Sequence, residues 1–352
     1  MVKKIGVLTS GGDAPGMNAA VRAVARMAMY NDIEVLGIRN GYQGLLDGDV
    51  FTMSERDVSF IINRGGTMLY TARCDEFKTE EGVKKGADMC RELGIDGLVT
   101  IGGDGTFRGA YDLSLQGIAC VGVPGTIDND ITATDATIGF DTAMNTVVEL
   151  IDKIRDTGES HSRCNVIEVM GRDCGDIALQ TALSVGAVAA VVKEFPFDRE
   201  AMVEKMKIAR KNGKRNFIII TCEGMGKEYG EELVKYVEEQ TDIETRFSRL
   251  GYIQRGGSPT LRDRVLATQM GGAAVNALLT GDTNDVICLR GTDVVSVEMT
   301  YAVKLDNYFK GKLTSEQVKK IAPSTLYEMK KFIAERNAYK NYIFDLIERV
   351  SL

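Results

Sequence analysis

An α/β fold in two lobes, each built on a mostly parallel sheet, is what this sequence predicts, and three observations predict it. Short apolar runs alternate with stretches of helical periodicity, the pattern of parallel strands crossed over by helices. Glycine-bearing turns follow the apolar runs at three places where such a sheet passes from strand to the next element. At 352 residues the chain exceeds the length at which one core usually stops growing, so a second lobe is expected.

Residues 4–9 read as the first strand. The start, Met1-Val2-Lys3-Lys4-Ile5-Gly6-Val7-Leu8, is basic and then apolar like a secretion signal, but its apolar piece stops at Thr9 in a glycine turn over residues 10–16. A buried strand explains it better. Residues 17–30 repeat Met17, Val21, Val24, Met27 and Ala28 at helical spacing. Residues 34–38, 97–101 and 118–123 are further strands, with a charged helix over 79–93 between the first two. A long helix is predicted over 137–155, ending near Gly158. Residues 164–169, 217–221 and 286–289 complete the strand set. The expected lobes are 1–139 with about 249–300, and 140–248 with the C-terminal helices at about 301–352. The tail from Leu313 is helical, with Leu326, Met329, Phe332 and Ile333 on one apolar face and Tyr342, Ile343, Leu346, Ile347 and Val350 on another. Such faces could bind a partner, but more often they pack on their own core or at a subunit interface.

Composition removes several functions. With 44% hydrophobic and 26% charged residues the chain is an ordinary globular protein. A formal charge of −7, without a lysine/arginine run, argues against nucleic acid as partner. No apolar stretch reaches membrane-spanning length; residues 185–192 are small-residue-rich but short. The seven cysteines are odd in number, scattered and without a CxxC pair, which suits free thiols in a reducing cytoplasm. His161 is the single histidine, which argues against a zinc site and removes imidazole from most acid–base schemes. It is better explained as a polar loop residue than as a base.

Three loops carry chemistry. Ser10-Gly11-Gly12-Asp13-Ala14-Pro15-Gly16 lies between a strand and a helix, where free amides and aligned peptide dipoles favour an anion; such turns also serve tight packing alone. No GxxxxGK[ST] occurs, which excludes a P-loop kinase. Gly102-Gly103-Asp104-Gly105-Thr106 sets one carboxylate among glycines after a strand. Glycines let backbone amides approach phosphate closely, and one carboxylate suffices for magnesium carried largely by a triphosphate; an Asx turn is the plainer alternative. Thr126-Ile127-Asp128-Asn129-Asp130 is the acid–base candidate, at the strand edge where open α/β sheets bind ligands, with helix capping as its alternative. Arg163, Arg172, Arg246 and Arg255 are the candidate anion clamps, since a guanidinium fork suits phosphate and keeps its charge. Each alone could equally be a surface ion pair.

These segments, together with Val169-Met170-Gly171-Arg172 and Gln254-Arg255-Gly256-Gly257-Ser258-Pro259, make the chain resemble the bacterial ATP-dependent 6-phosphofructokinases (the phosphofructokinase A family) from Ile5 to about Ala274. The resemblance implies two Rossmann-like three-layer α/β/α lobes, usually in a cytoplasmic homotetramer, with ATP, fructose 6-phosphate and Mg2+ as ligands. It implies that Gly12, Arg73, Cys74, Gly103, Asp104, Gly105 and Thr106 contact ATP and that Asp104 binds the metal. Asp128 becomes the base for the sugar's C1 hydroxyl, supported by Thr126 and Asp130, while Arg172 and the Gly12 amide steady the transferring phosphoryl group. Thr126, Ile127, Met170, Gly171, Glu223, Tyr252, Ile253, Gln254 and Arg255 become sugar-phosphate contacts, with Arg163 and Arg246 reaching it from a neighbouring subunit. Gly105 and Gly125 stand where pyrophosphate-using relatives typically carry Asp and Lys, so ATP is the implied donor.

Departures from the family pattern are also implied. Tyr252 stands where bacterial members commonly have histidine. At the regulatory nucleotide site Arg22, Arg26, Arg155 and Lys214 match, but Glu55 replaces an arginine, Phe60 an aspartate, Val188 a metal-binding glutamate and Asn212 a lysine. A weak response to ADP or phosphoenolpyruvate is therefore expected. Rival functions fit less well. A nicotinamide dehydrogenase lacks GxGxxG after its first strand. An inactive nucleotide-sensing paralogue would not be expected to keep Asp104, Asp128 and Arg172. A GGDGT loop also suits NAD kinases, and a pyrophosphate-dependent phosphofructokinase stays open to a donor assay.

Overall fold

The computed structural model describes residues 2–351. The chain forms two compact units. One holds the residues up to Ile127, with Ile131–Thr142 and Arg255–Ala322; the other holds Asp128–Asp130, Ala143–Gln254 and the residues from Pro323 onward.

In chain order the first unit contributes β1 (Lys4–Ser10), α1 (Met17–Tyr30), β2 (Glu34–Ile38), α2 (Gly41–Asp47), β3 (Val50–Thr52), α3 (Glu80–Glu92), β4 (Gly97–Gly102), α4 (Asp104–Leu115) and β5 (Cys120–Pro124). After α5 (Phe140–His161) the second unit supplies β6 (Cys164–Val169), α6 (Asp176–Val185), β7 (Ala189–Val191), α7 (Arg199–Lys211), β8 (Phe217–Cys222), α8 (Tyr229–Thr241) and β9 (Thr245–Arg249). The chain then returns through α9 (Leu261–Thr280), β10 (Asp285–Arg290), β11 (Asp293–Glu298), α10 (Met299–Phe309) and α11 (Ser315–Lys319), and ends in α12 (Pro323–Val350).

The first unit carries a seven-stranded sheet in the order β11-β10-β5-β4-β1-β2-β3, and the second a four-stranded sheet in the order β7-β8-β6-β9. Pairings in the second are all parallel; in the first only the edge strands β3 and β11 run antiparallel. Central strands β4, β5, β6 and β8 are buried along their whole length, because helices cover both faces of a parallel sheet; their side chains are apolar or small except for Asn165 and Glu168 of β6, where Arg249 pairs with Glu168 at 2.6 Å. This is the α/β class expected. The helix 17–30 and the strands 34–38 and 164–169 fall where periodicity put them.

Among the boundaries that differ from expectation, two have a clear physical reason. The helix expected to end near Gly158 runs to His161: a Cβ at 158 would lie 2.8 Å from Asn165 Nδ2, so the glycine lets the helix pass its neighbour rather than stop. The segment 301–322, expected in the second lobe, belongs to the first unit. There α10 packs on α4, β10 and β11, and its buried Asp306 accepts from the Thr132 amide (3.3 Å) and hydroxyl (2.8 Å).

Candidate active site

In the first unit β1 and β4 are parallel neighbours, with Ser10 opposite Gly102 at their carboxyl ends. From β1 the chain moves outward to β2, and from β4 it moves the other way to β5. This reversal is where open α/β sheets leave a crevice for ligands. Both glycine loops leave the sheet there, and glycine is required for their closeness. A Cβ on Gly102 would lie 2.3 Å from both Ser10 O and Thr106 Oγ1. Thr106 Oγ1 donates to Ser10 O at 3.0 Å, and Tyr42 donates to Thr106 O at 2.5 Å. Thr106, expected to contact ATP, uses its buried side chain to tie the two loops together. The segment Asn63-Arg64-Gly65-Gly66-Thr67 was not singled out from sequence. It is bound to Asn18, which takes the Met68 amide and donates to the Arg64 and Gly65 carbonyls. Thr71 donates to Gly11 O at 2.7 Å. Arg73 lies exposed just beyond, and partial burial pushes the neighbouring Cys74 thiol up. Arg255 sits over the first turn, its guanidinium carbon 3.6 Å from where a Cβ of Gly12 would be.

Asp104 opens α4, so its carboxylate stands at a helix N-terminus. Arg108 grips it with two contacts of 3.1 Å, and Lys312 lies 3.5 Å away. Burial alone would raise its pKa, but Lys310, Arg108 and Lys312 together bring it below the usual carboxylate value. A lone ionised carboxylate fits magnesium that arrives with a triphosphate, provided Arg108 yields an oxygen. Among the described residues no cluster of three or more His, Cys, Asp or Glu could hold a metal by itself. At Gly105 an added Cβ meets nothing within 4 Å, whereas at Gly125 it would press on Ile101 Cγ2 at 3.1 Å and Met17 Cε at 3.3 Å.

The loop expected to carry the acid–base group passes from one unit to the other in mid-motif: Ile127 is core in the first, and Asp128, Asn129 and Asp130 belong to the second. Within the second unit Arg172 Nε stands 3.1 Å from Asp128 Oδ2, the carboxylate 4% and the arginine 59% exposed. The backbone around this pair is unusual, with φ of 53° at Arg172 and 51° at Asn129. Glu223, expected to bind sugar, accepts from the Arg172 amide at 2.9 Å. Asn129 donates to Asp176 at 2.9 Å, and its carbonyl accepts from Arg336 at 2.5 Å. Asp176, Arg336 and Lys340 carry no motif and were missed in the sequence. Their one signal is that α12 places two cations in line with Met329, Ile343 and Ile347, its buried apolar stripe.

The remaining predicted contacts separate into two kinds. Arg163 and Arg246 converge on Glu244, at 2.8 Å for Arg163. Tyr252 and Ile253 are exposed, while Met170 and Gly171 are buried beside the Arg172 turn. Gln254 and Ile127, expected among the sugar-phosphate contacts, have inward-facing side chains. Gln254 is fully buried, holding the Met170 amide at 3.2 Å and the Gly251 carbonyl at 3.1 Å, and Ile127 is packed in the core. At the expected regulatory positions Glu55 neutralises Arg26 at 3.0 Å, and Phe60 is exposed. In the second unit Arg155 donates to Val185 O, Lys214 to Ser351 O at 3.3 Å, and Val188 is buried in the core.

A phosphofructokinase family model matches residues 4–278. The ATP-dependent 6-phosphofructokinase 1 of Clostridium perfringens is 52% identical over 88% of this chain and 96% of its own length. The ATP-dependent 6-phosphofructokinase of Bacillus subtilis is 55% identical over 84% of this chain and 92% of its own. Among solved structures, phosphofructokinase from Saccharomyces cerevisiae superposes with a TM-score of 0.83 at 34% identity, over 88% of this chain and 46% of that one. The chain belongs to the phosphofructokinase family.

Proposed function

We propose that this chain is an ATP-dependent 6-phosphofructokinase, moving the γ-phosphoryl group of MgATP to the C1 hydroxyl of fructose 6-phosphate to give fructose 1,6-bisphosphate and ADP. The observation that carries this reading is the 3.1 Å pairing of a buried carboxylate, Asp128, with a half-exposed guanidinium, Arg172. A base and an anion clamp side by side are what alcohol-to-phosphate transfer needs. The names of relatives more than half identical, matched over nearly their full length, support the substrates.

In this mechanism the glycine loops at the β1–β4 switch point receive the triphosphate through backbone amides, and Asp104 would hold magnesium, whose charge would offset that of the phosphates. Asp128 takes the proton of the attacking hydroxyl, help of a kind that typically contributes about 10²–10⁴-fold. Arg172 leaves Asp128 for the transferring phosphoryl oxygens, so substrate arrival both frees the base and places the clamp. Thr126 and Asp130 support that centre, and Arg255 with the Gly12 amide completes the anion site. The sugar phosphate lies against Met170, Gly171, Glu223, Tyr252 and Ile253. Arg163 and Arg246 serve a neighbouring subunit's sugar phosphate in a homotetramer, Glu244 holding them ready. Donor choice follows from Gly105 and Gly125: open space at 105 admits the ATP side of the phosphate chain, and a lysine at 125 would press its Cβ on Ile101 and Met17. The seven free cysteines fit a reducing cytoplasm.

A coupled assay of ADP and fructose 1,6-bisphosphate formation, run with ATP and with pyrophosphate across several sugar phosphates and NAD, tests the reading. ATP with fructose 6-phosphate should be the fastest pair; faster turnover with pyrophosphate, or with NAD as acceptor, would overturn it.

A further inference from the structure

The family match ends at residue 278, yet α12, more than forty residues later, reaches the acid–base loop. On this helix Met329, Arg336, Lys340, Ile343 and Ile347 are spaced by seven, four, three and four residues, so all five share one face. Met329, Lys340, Ile343 and Ile347 are buried, and α12 packs on α6 and β7. Two cations in a buried stripe demand partners, because an unmatched charge there costs too much to keep. Both find them beside the reacting groups. Arg336 donates to the Asn129 carbonyl at 2.5 Å and lies 3.5 Å from Asp176. Lys340 reaches Asp176 at 2.7 Å, Glu194 at 3.3 Å and Cys174 Sγ at 3.4 Å.

The partners matter more than the charges. Asn129 follows Asp128 directly and is held in the left-handed region. Asp176 opens α6, four residues after Arg172, and accepts from Asn129 at 2.9 Å. Glu194, besides meeting Lys340, takes the Gly175 amide at 2.8 Å. The two loops that carry the base and the clamp therefore both close on Arg336 of α12, and the second of them also on Lys340. Burial would raise the Asp176 pKa, but Lys340 and Arg336 reverse this and keep it ionised.

We propose that α12 is a strut for catalysis: Arg336, backed by Lys340, is a positioning residue that fixes Asp128 through the Asn129 carbonyl and Arg172 through Asp176. Neither residue touches substrate. The proposal rests on the reading of Asp128 as base, and its test is built so that the two can fail separately.

The kinetic arm compares Arg336→Met and Arg336→Lys in the full-length chain, each with and without Asp128→Asn. Arg336→Met should lower kcat by about tenfold to a hundredfold, since misplacement of a reacting group by an ångström or less is that costly. KM for ATP and for fructose 6-phosphate should stay within about twofold, and the lysine variant should recover part of the rate. With Asp128 already replaced, Arg336→Met should cost less than about twofold more, because it has nothing left to position. Equal losses in both backgrounds, or an unchanged kcat per folded molecule, would mean that α12 only holds the unit together. The second arm needs no turnover: amide hydrogen exchange at 128–131 and 172–176 should quicken in Arg336→Lys and Lys340→Arg relative to the central strands. Unchanged exchange there overturns the proposal even if the methionine variant fails to fold. Faster exchange in a chain that phosphorylates no sugar would keep the strut and discard the activity.

Discussion

Replacing Asp128 by asparagine separates chemistry from stability, and the size of each effect follows from the site. The substitution keeps shape and volume but removes the only proton acceptor assigned to the attacking hydroxyl. Loss of a general base costs about 10²–10⁴-fold, which is about 3–5 kcal/mol of transition-state stabilisation. Folding should hardly notice. The charge that disappears is the buried one, so no uncompensated ion is left inside the protein. Its partner Arg172 is 59% exposed and simply returns to solvent. An ion pair with one such exposed member is worth about 0–1 kcal/mol, a shift of at most a few degrees in Tm. A coupled ADP-release assay at saturating ATP and fructose 6-phosphate gives kcat, and a thermal melt on the same preparation gives Tm. The expected outcome is kcat down by at least a hundredfold with both KM values and Tm nearly unchanged. A variant that kept its kcat while losing affinity for the sugar would falsify the assignment of Asp128 as base and make it a binding residue.

Donor choice is open to the same assay: Gly105→Asp should fold like the parent, since nothing lies within 4 Å of its Cβ, yet lose ATP turnover by about tenfold or more through repulsion of the phosphate chain. Gly102→Ala is a test of loop closeness; its Cβ, 2.3 Å from Ser10 O and Thr106 Oγ1, should cost about 2–4 kcal/mol in denaturant titration through overpacking and the lost Thr106 bond. Lys340→Met should destabilise by about 1.5–3 kcal/mol at neutral pH, because Asp176 loses its nearest cation but keeps Arg336 at 3.5 Å and Asn129 at 2.9 Å. The native Asp176 pKa lies below its unfolded value, so its contribution is present above the ordinary carboxylate range and lost as pH falls through the depressed value. The gap in Tm between parent and variant should therefore shrink as pH drops below about 4, and a gap that widened would refute the pairing. ADP and phosphoenolpyruvate should each shift half-saturation for fructose 6-phosphate by less than about tenfold, because Glu55 already occupies Arg26 and Val188 is buried.

What could be read from the sequence was whatever repeats locally. The helix Met17–Tyr30 and the strand Glu34–Ile38 carry their period within themselves, and the glycine loops announce a backbone that must come close to something. Interactions between distant residues left no such trace. Asn129 and Arg336 are 207 positions apart, and in a one-dimensional reading the arginine is one more charge on a helix. Gly158 looked like a helix end because glycine usually weakens helices, while its actual role is clearance for Asn165. Gln254 and Thr106 sit inside recognisable motifs, yet their side chains face inward: motif membership says that a residue belongs to the site, but only burial says whether it meets the ligand or holds the loop.

The strained backbone shows why distant residues are needed at all. Arg172 and Asn129 both occupy the left-handed region, which asparagine tolerates and arginine adopts rarely. Such conformations cost about 1–3 kcal/mol each and persist only where surrounding contacts overdetermine them. Here those contacts are identifiable. Glu223 takes the Arg172 amide, and Gly224 clears the Arg172 carbonyl, which would lie 2.3 Å from a Cβ at 224; Arg336 takes the Asn129 carbonyl. A relaxed turn at either residue would point its neighbouring side chain elsewhere and part Asp128 from Arg172. The interactions that hold the strain are thus the ones that set the 3.1 Å separation of Asp128 and Arg172. Since they come from two separate segments of the second unit, 223–224 and α12, the pair is kept in register by distant parts of that unit and not by the loops that carry it alone.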